Sequence, residues 1–79
     1  MEVLVKLHSV LRRYATARDY RRPFAVTVAE GAALGDVLTL LGLPEDQEYL
    51  IFVGTERRDR DRTVSDGDVV TILPPIVGG

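Results

Sequence analysis

At 79 residues the chain is one domain, near the lower size limit for unaided folding, with room for one modest core but not for a deep catalytic cleft with its own cofactor. It has no cysteine, which excludes disulfides, thiolate metal sites and a cysteine nucleophile, and its net charge of −2 argues against nucleic acid as the principal partner. No apolar run reaches transmembrane length, and Met1 leads straight into a strand-like alternation rather than a signal peptide, so a cytoplasmic protein with no membrane partner is the expectation.

The first seven residues alternate with period two. Met1, Val3, Val5 and Leu7 share one face, and Glu2, Leu4 and Lys6 the other, which predicts a strand. Ser9 is placed to cap a short helical turn that carries Leu11 and Tyr14 inward. Residues 17–22 are polar and read as loop, after which Pro23 imposes an extended entry to a second strand over Phe24 to Val28. Antiparallel pairing of these two strands is the simplest arrangement.

Leu34, Val37, Leu38 and Leu41 recur at i, i+3, i+4 and i+7, the spacing of a helix with one buried stripe. Its start is poorly capped, because Ala33 stands where Ser, Thr or Asp is favoured. Its stop is clear, with Gly42 suited to a left-handed cap and Pro44 two residues beyond. An acidic turn follows, then the apolar run Leu50-Ile51-Phe52-Val53, ended by Gly54. A charged loop with room for one minor extra strand runs on to Arg62, and Ser65-Asp66-Gly67-Asp68 is a strong turn signal. Val69 to Leu73 is the last strand. Pro74 and Pro75 lack the N–H that a central ladder needs, so the sheet ends there.

The order is strand, strand, helix, strand, strand. It predicts an α+β β-grasp: a mixed four- to five-stranded sheet with one main helix across one face. Residues 1–73 form the domain and residues 74–79 a flexible tail, Pro-Pro-x-x-Gly-Gly. By composition alone a terminal Gly-Gly arises in roughly one chain in 200, so the dipeptide means little without the platform in front of it. On such a platform it exposes a carboxylate that is an anion at neutral pH, its unperturbed pKa being about 3.3–3.7, on a backbone thin enough for a narrow passage.

Asp66-Gly67-Asp68, a five-residue apolar strand and Pro74-Pro75-x-x-Gly78-Gly79 resemble the MoaD/ThiS-type ubiquitin-like sulfur carriers. These include the small subunit of molybdopterin synthase and the carrier of thiamine biosynthesis. Leu11-Arg12-Arg13-Tyr14, Glu30-Gly31, Leu41-Gly42-Leu43-Pro44 and Leu50-Ile51-Phe52-Val53-Gly54 extend the resemblance over nearly the whole chain, and the Pro-Pro pair leans toward the molybdopterin branch. The departures are Gly54-Thr55 in place of an Asn-Gly turn, Ala33 before the helix, and the Arg-rich stretch from Arg18 to Arg22.

The resemblance implies a chain with no self-contained active site. A ubiquitin-activating-like adenylyltransferase, which brings the ATP and magnesium, activates the carboxylate of Gly79, with Pro74, Pro75, Ile76, Val77 and Gly78 threading into its site. A sulfur donor converts the adenylate to a thiocarboxylate. A sulfur-acceptor enzyme, the molybdopterin synthase large subunit or an analogue, takes the sulfur. Thiamine formation, tRNA thiolation, conjugation to proteins through Gly79 and a non-catalytic interaction subunit stay open as alternatives.

Docking residues are sought in two places. With Val70 and Ile72 facing the helix, Thr71 and Leu73 face out, and Ile51 is expected to join them in an exposed patch beside the tail. Nine of the ten basic residues are Arg. The cluster Arg12, Arg13, Arg18, Arg21 and Arg22, with only Asp19 nearby, is either a partner-docking patch or a solvated surface. Arg57, Arg58, Arg60 and Arg62 alternate with Glu56, Asp59 and Asp61 and read as a solvated, self-compensating loop. The lone His8 reads as a rim residue, and Glu45, Asp46 and Glu48 lack the spacing of a calcium loop, so no metal site is expected.

Overall fold

The computed structural model describes residues 1–8, 11 and 23–74. Five strands and one helix follow in the order β1 (Glu2–Leu7), β2 (Phe24–Thr27), α1 (Leu34–Leu40), β3 (Leu50–Val53), β4 (Glu56–Arg57) and β5 (Val69–Leu73). They form one mixed sheet in the order β2-β1-β5-β3-β4. β1 and β2 pair antiparallel, β1 and β5 run parallel at the centre, and β3 joins β5 antiparallel. The α+β architecture, the β-grasp order and the antiparallel first pair stand as expected. The minor extra strand is the two-residue β4, joined to β3 through Gly54, whose φ of 62° supplies the left-handed step of the tight turn.

Alternation in β1 fixes which face is core. Val3, Val5 and Leu7 are almost fully buried, as are Val70 and Ile72 of β5 and the α1 residues Leu34, Val37 and Leu38. Leu11 is buried in the same cluster, as its inward assignment requires, and its N–H donates to the His8 carbonyl at 3.2 Å. Ser9 and Tyr14, the cap and second apolar residue of that predicted turn, lie outside the described residues.

A seven-residue helix is not stable by propensity alone, so its ends and its packing must hold it. Ala33 offers no side-chain acceptor. The Asp36 carboxylate accepts the Ala33 N–H at 2.9 Å, and the first free helical amides are taken by the charged loop. Leu34 N–H donates to the Arg62 carbonyl and Gly35 N–H to the Arg60 carbonyl, both at 2.9 Å. At the other end Gly42, with φ of 77°, closes a Schellman motif. Gly42 N–H donates to Thr39 O at 3.0 Å and Leu43 N–H to Leu38 O at 3.1 Å, while Leu43 turns into the core.

Candidate functional site: the sheet rim where the tail departs

The Ser65–Asp68 turn sets where β5 starts against β1. Asp68 Oδ2 accepts the Ser65 N–H and Asp66 Oδ1 accepts the Glu2 N–H, each at 2.8 Å. Gly67 N–H donates to Glu2 O and Leu4 N–H to Asp68 O, also at 2.8 Å. From this clasp the parallel ladder runs in register, Leu4 beside Val69 and Leu7 beside Ile72, and it ends with His8 N–H on Ile72 O at 3.1 Å. On its other side β5 is paired to its last residue, Leu73 standing opposite Leu50. Pro74 follows directly and contributes no N–H to either neighbour. The root of the tail is thus held by strands on both sides. Pro75, Ile76, Val77, Gly78 and Gly79 lie outside the described residues, as do Arg12, Arg13 and the 18–22 stretch.

The sheet face opposite α1 carries the side chains that alternate with the buried ones. Leu4 and Val69, neighbours across β1 and β5, are 36% and 38% exposed. Leu73 and Leu50 form the next apolar pair, both half-buried, and Phe52 sits opposite Thr71 on one side and Arg57 on the other. Lys6 lies beside Thr71 in register, and among the described residues its ammonium has no carboxylate partner. The result is an apolar strip running toward the tail root, flanked by Lys6 and Arg57.

One expected docking residue is wrong. Ile51 is 2% exposed and pairs with Ile72, so it belongs to the core face and not to a patch with Leu73. The physical reason is that Leu50-Ile51-Phe52-Val53 is apolar throughout. Such a run has no alternation to fix its phase, and the register with β5 decides it. Leu73 does face outward, but its partner is Leu50. The adjacent apolar residues Leu4, Val69 and Phe52 were missed. The first two are readable from strand alternation, since Leu4 shares a face with Lys6 and Val69 with Thr71.

The second arginine group is more firmly anchored than a solvated loop. Arg58 pairs with Glu56 as its alternation suggests, but Arg62 reaches Asp68 at 3.5 Å. Arg60 donates to the Gln47 carbonyl at 2.8 Å and lies over the Tyr49 ring, 5.8 Å from its centre. Beside it a depression of about 490 Å³ is lined by Glu48, Tyr49, Ile51 and residues 57–61. Its lining carries three arginines against three carboxylates and no histidine, and the Tyr49 hydroxyl is engaged by the Pro44 carbonyl at 2.9 Å. Nothing there assembles a nucleophile with a base. Among the described residues no group of three or more histidine, aspartate or glutamate side chains is placed to hold a metal ion, and no helix is long and apolar enough to cross a membrane.

Comparison with known proteins agrees with this geometry. No curated protein matches the chain. Among solved structures, SAMP1 from Haloferax volcanii superposes with a TM-score of 0.73 at 24% identity, over 100% of both chains. A Pyrococcus furiosus protein named for molybdopterin converting factor subunit 1 gives 0.74 at 23% identity, over 96% of this chain and 99% of that one. Caldiarchaeum subterraneum ubiquitin gives 0.58 at 22% identity, over 100% and 98%. At such identities the likeness is one of fold, and the fold is the ubiquitin-like β-grasp. The sequence model of the ThiS family matches residues 11–79, from the buried Leu11 through the Ser65–Asp68 turn and β5 to the Gly-Gly pair. This chain belongs to the ThiS family.

Proposed function

We propose that the chain, with Gly79 as its terminal residue, is a sulfur carrier whose carboxylate is adenylated by an ATP-dependent partner and converted to a thiocarboxylate, with molybdopterin formation as the pathway served. The observation that carries this reading is the tail root: β5 is paired to β1 as far as Ile72 and to β3 as far as Leu73, stopped by Pro74, and bordered by an apolar strip. A rigid base beside a docking face is what a partner needs to receive a short segment in a fixed direction. The family match and the Pro-Pro-x-x-Gly-Gly sequence support the same reading.

The chemistry asks little of this chain. A carboxylate oxygen of Gly79 attacks the α-phosphorus of ATP, and the bond to pyrophosphate breaks, leaving an acyl-adenylate. A sulfur nucleophile at the oxidation level of hydrosulfide then adds to the acyl carbon and expels AMP, leaving the thiocarboxylate. Gly78 and Gly79 have no side chain beyond Cα, so the acyl carbon can be approached within a narrow passage. Leu4, Val69, Leu50, Phe52 and Leu73 form the docking face, and burying Leu4 and Val69 is worth roughly 0.5–1 kcal/mol each, scaled from full side-chain burial by their present exposure.

Deleting Gly79 tests the proposal. The truncated chain should fold as the full one does and support no ATP–pyrophosphate exchange when added to an extract of its source cells. Undiminished exchange would overturn it. The likeness to SAMP1, a small archaeal modifier protein, supports a second reading in which the same adenylate is passed to lysines of other proteins.

A further inference from the structure

An aspartate followed by glycine is prone to cyclise, because no side chain on the next residue obstructs the amide nitrogen that attacks the carboxyl. This chain has no asparagine, and of its aspartates Asp66 alone precedes a glycine. Every other aspartate is followed by a residue with a Cβ, and Val37 and Val69 are β-branched besides. The most labile pair of the backbone is therefore Asp66-Gly67, and it is also the pair on which the clasp between β1 and β5 is built. Gly67 has φ of 85°, a left-handed step that favours glycine, so the turn itself requires the labile sequence.

Both residues are exposed, and nothing lies within 4 Å of where a Cβ on Gly67 would stand. Access is open, but the two reacting groups are both bound to one residue. Asp66 Oδ1 accepts the Glu2 N–H and Gly67 N–H donates to the Glu2 carbonyl, each at 2.8 Å. Ring closure needs a free carboxyl and a free amide nitrogen, so it waits until both bonds part. They lie at the first residue of β1, on the margin of the sheet, where local opening is easier than global unfolding.

We propose that Asp66 is a modification site of this chain, an isoaspartate-forming residue that pairing with Glu2 holds latent. In the step, the Gly67 nitrogen adds to Asp66 Cγ, a C–N bond forms, and the carboxyl hydroxyl leaves with the amide proton as water. Water then adds to the five-membered imide. Cleavage of the new bond at Cγ restores aspartate, and cleavage of the bond from the Asp66 α-carbonyl carbon to nitrogen leaves isoaspartate. No oxidant or second substrate is needed. In the isoaspartyl form the main chain runs through Cβ and Cγ, one carbon longer, and the free carboxylate hangs from Cα. The turn then no longer sets Asp66 and Gly67 against Glu2, and the register in which β5 begins beside β1 is lost at its first step. Cyclisation is slow beside opening and closing of the clasp, so its rate follows the population of the open form.

The test holds the purified full chain for weeks at body temperature and neutral pH, in buffer and in denaturing urea. Isoaspartate is counted by methyl transfer from labelled S-adenosylmethionine with an isoaspartyl methyltransferase, and placed by peptide mapping. In urea it should accumulate at Asp66 ahead of every other aspartate. In buffer it should form more slowly by about tenfold or more, since two hydrogen bonds must open first. Glu2→Pro removes the N–H that Asp66 Oδ1 accepts, at the first residue of a strand where proline is tolerated, and should raise the rate in buffer several-fold. The comparison of buffer with urea uses the unaltered chain and stands even where the variant melts early. The converted chain, separated chromatographically and refolded, should melt several degrees below the unconverted one. Isoaspartate mainly at another aspartate, equal rates in buffer and urea, a folded Glu2→Pro chain no faster than the unaltered one, or a converted chain that melts as before would each overturn the proposal.

Discussion

The phase of β3 decides which of its residues belong to the core and which to the docking face, and replacing Ile51 and Leu50 in turn measures it. Ile51 is 2% exposed and packs in one cluster with Ile72, Val70 and the helix stripe. Truncating a buried isoleucine to alanine costs about 2–5 kcal/mol, the lost transfer energy plus the cavity left behind. The stability of a domain of this size is on the order of 4–12 kcal/mol. Ile51→Ala therefore removes a large share of it, and at about 4–8 °C per kcal/mol lowers Tm by some tens of degrees or leaves the chain largely unfolded. Leu50 is its half-buried neighbour on the outer face, and Leu50→Ala should cost about 1 kcal/mol or less. Thermal melts followed by circular dichroism compare the two. If Leu50→Ala proved the more damaging, the β3–β5 register, and with it the assignment of the whole outer face, would be wrong.

Three further outcomes follow from the same geometry. Leu4→Asp and Val69→Asp, at exposed positions, should lower ATP–pyrophosphate exchange in source-cell extract by about tenfold or more while moving Tm by only a few degrees, because they place an unpaired charge in the docking face but not in the core; equal loss of both would show these side chains to be structural. Gly42→Ala should destabilise by about 1 kcal/mol, since φ of 77° is strained for any residue with a Cβ, although no neighbour lies within 4 Å of the added methyl. Gly35→Ala, in the first turn of α1 with its Cβ 3.5 Å from the Arg60 carbonyl oxygen, meets only ordinary contact and should be neutral or stabilising by about 0.5 kcal/mol in the same denaturation assay.

What could be read in advance was whatever had a strict period. Val3, Val5 and Leu7 alternate with polar or outward residues, and Leu34, Val37 and Leu38 repeat at helical spacing, so both core faces were legible. β3 was legible as a strand but not in phase, because four consecutive apolar residues fit either face and only pairing with Ile72 breaks the tie. The arginine loop was legible only in part, for a different reason. Its charge alternation predicts self-pairing, but backbone carbonyls of Arg60 and Arg62 cap α1, a role that no side-chain pattern encodes. Ala33, the residue that made the helix look poorly capped, was the signal that something non-local had to supply those acceptors. At the tail the legible part was chemical: Pro74 ends the ladder because it lacks a donor, whatever the topology around it. That β1 lies beside β5, with Leu7 next to Ile72 near the tail root, depends on the parallel pairing and was not readable from either strand alone.

The central claim is that the Gly79 carboxyl is the reactive group of this protein, and that other proteins act on it. Intact-mass and C-terminal peptide analysis of the protein isolated from its own cells tests this most directly. A fraction of chains ending at Gly79 should carry a sulfur-for-oxygen increment confined to the last residue, lost on treatment with an alkylating agent that caps thiocarboxylates. Chains that bear only an unmodified carboxylate under every growth condition, or that continue past Gly79 in their mature form, would contradict it.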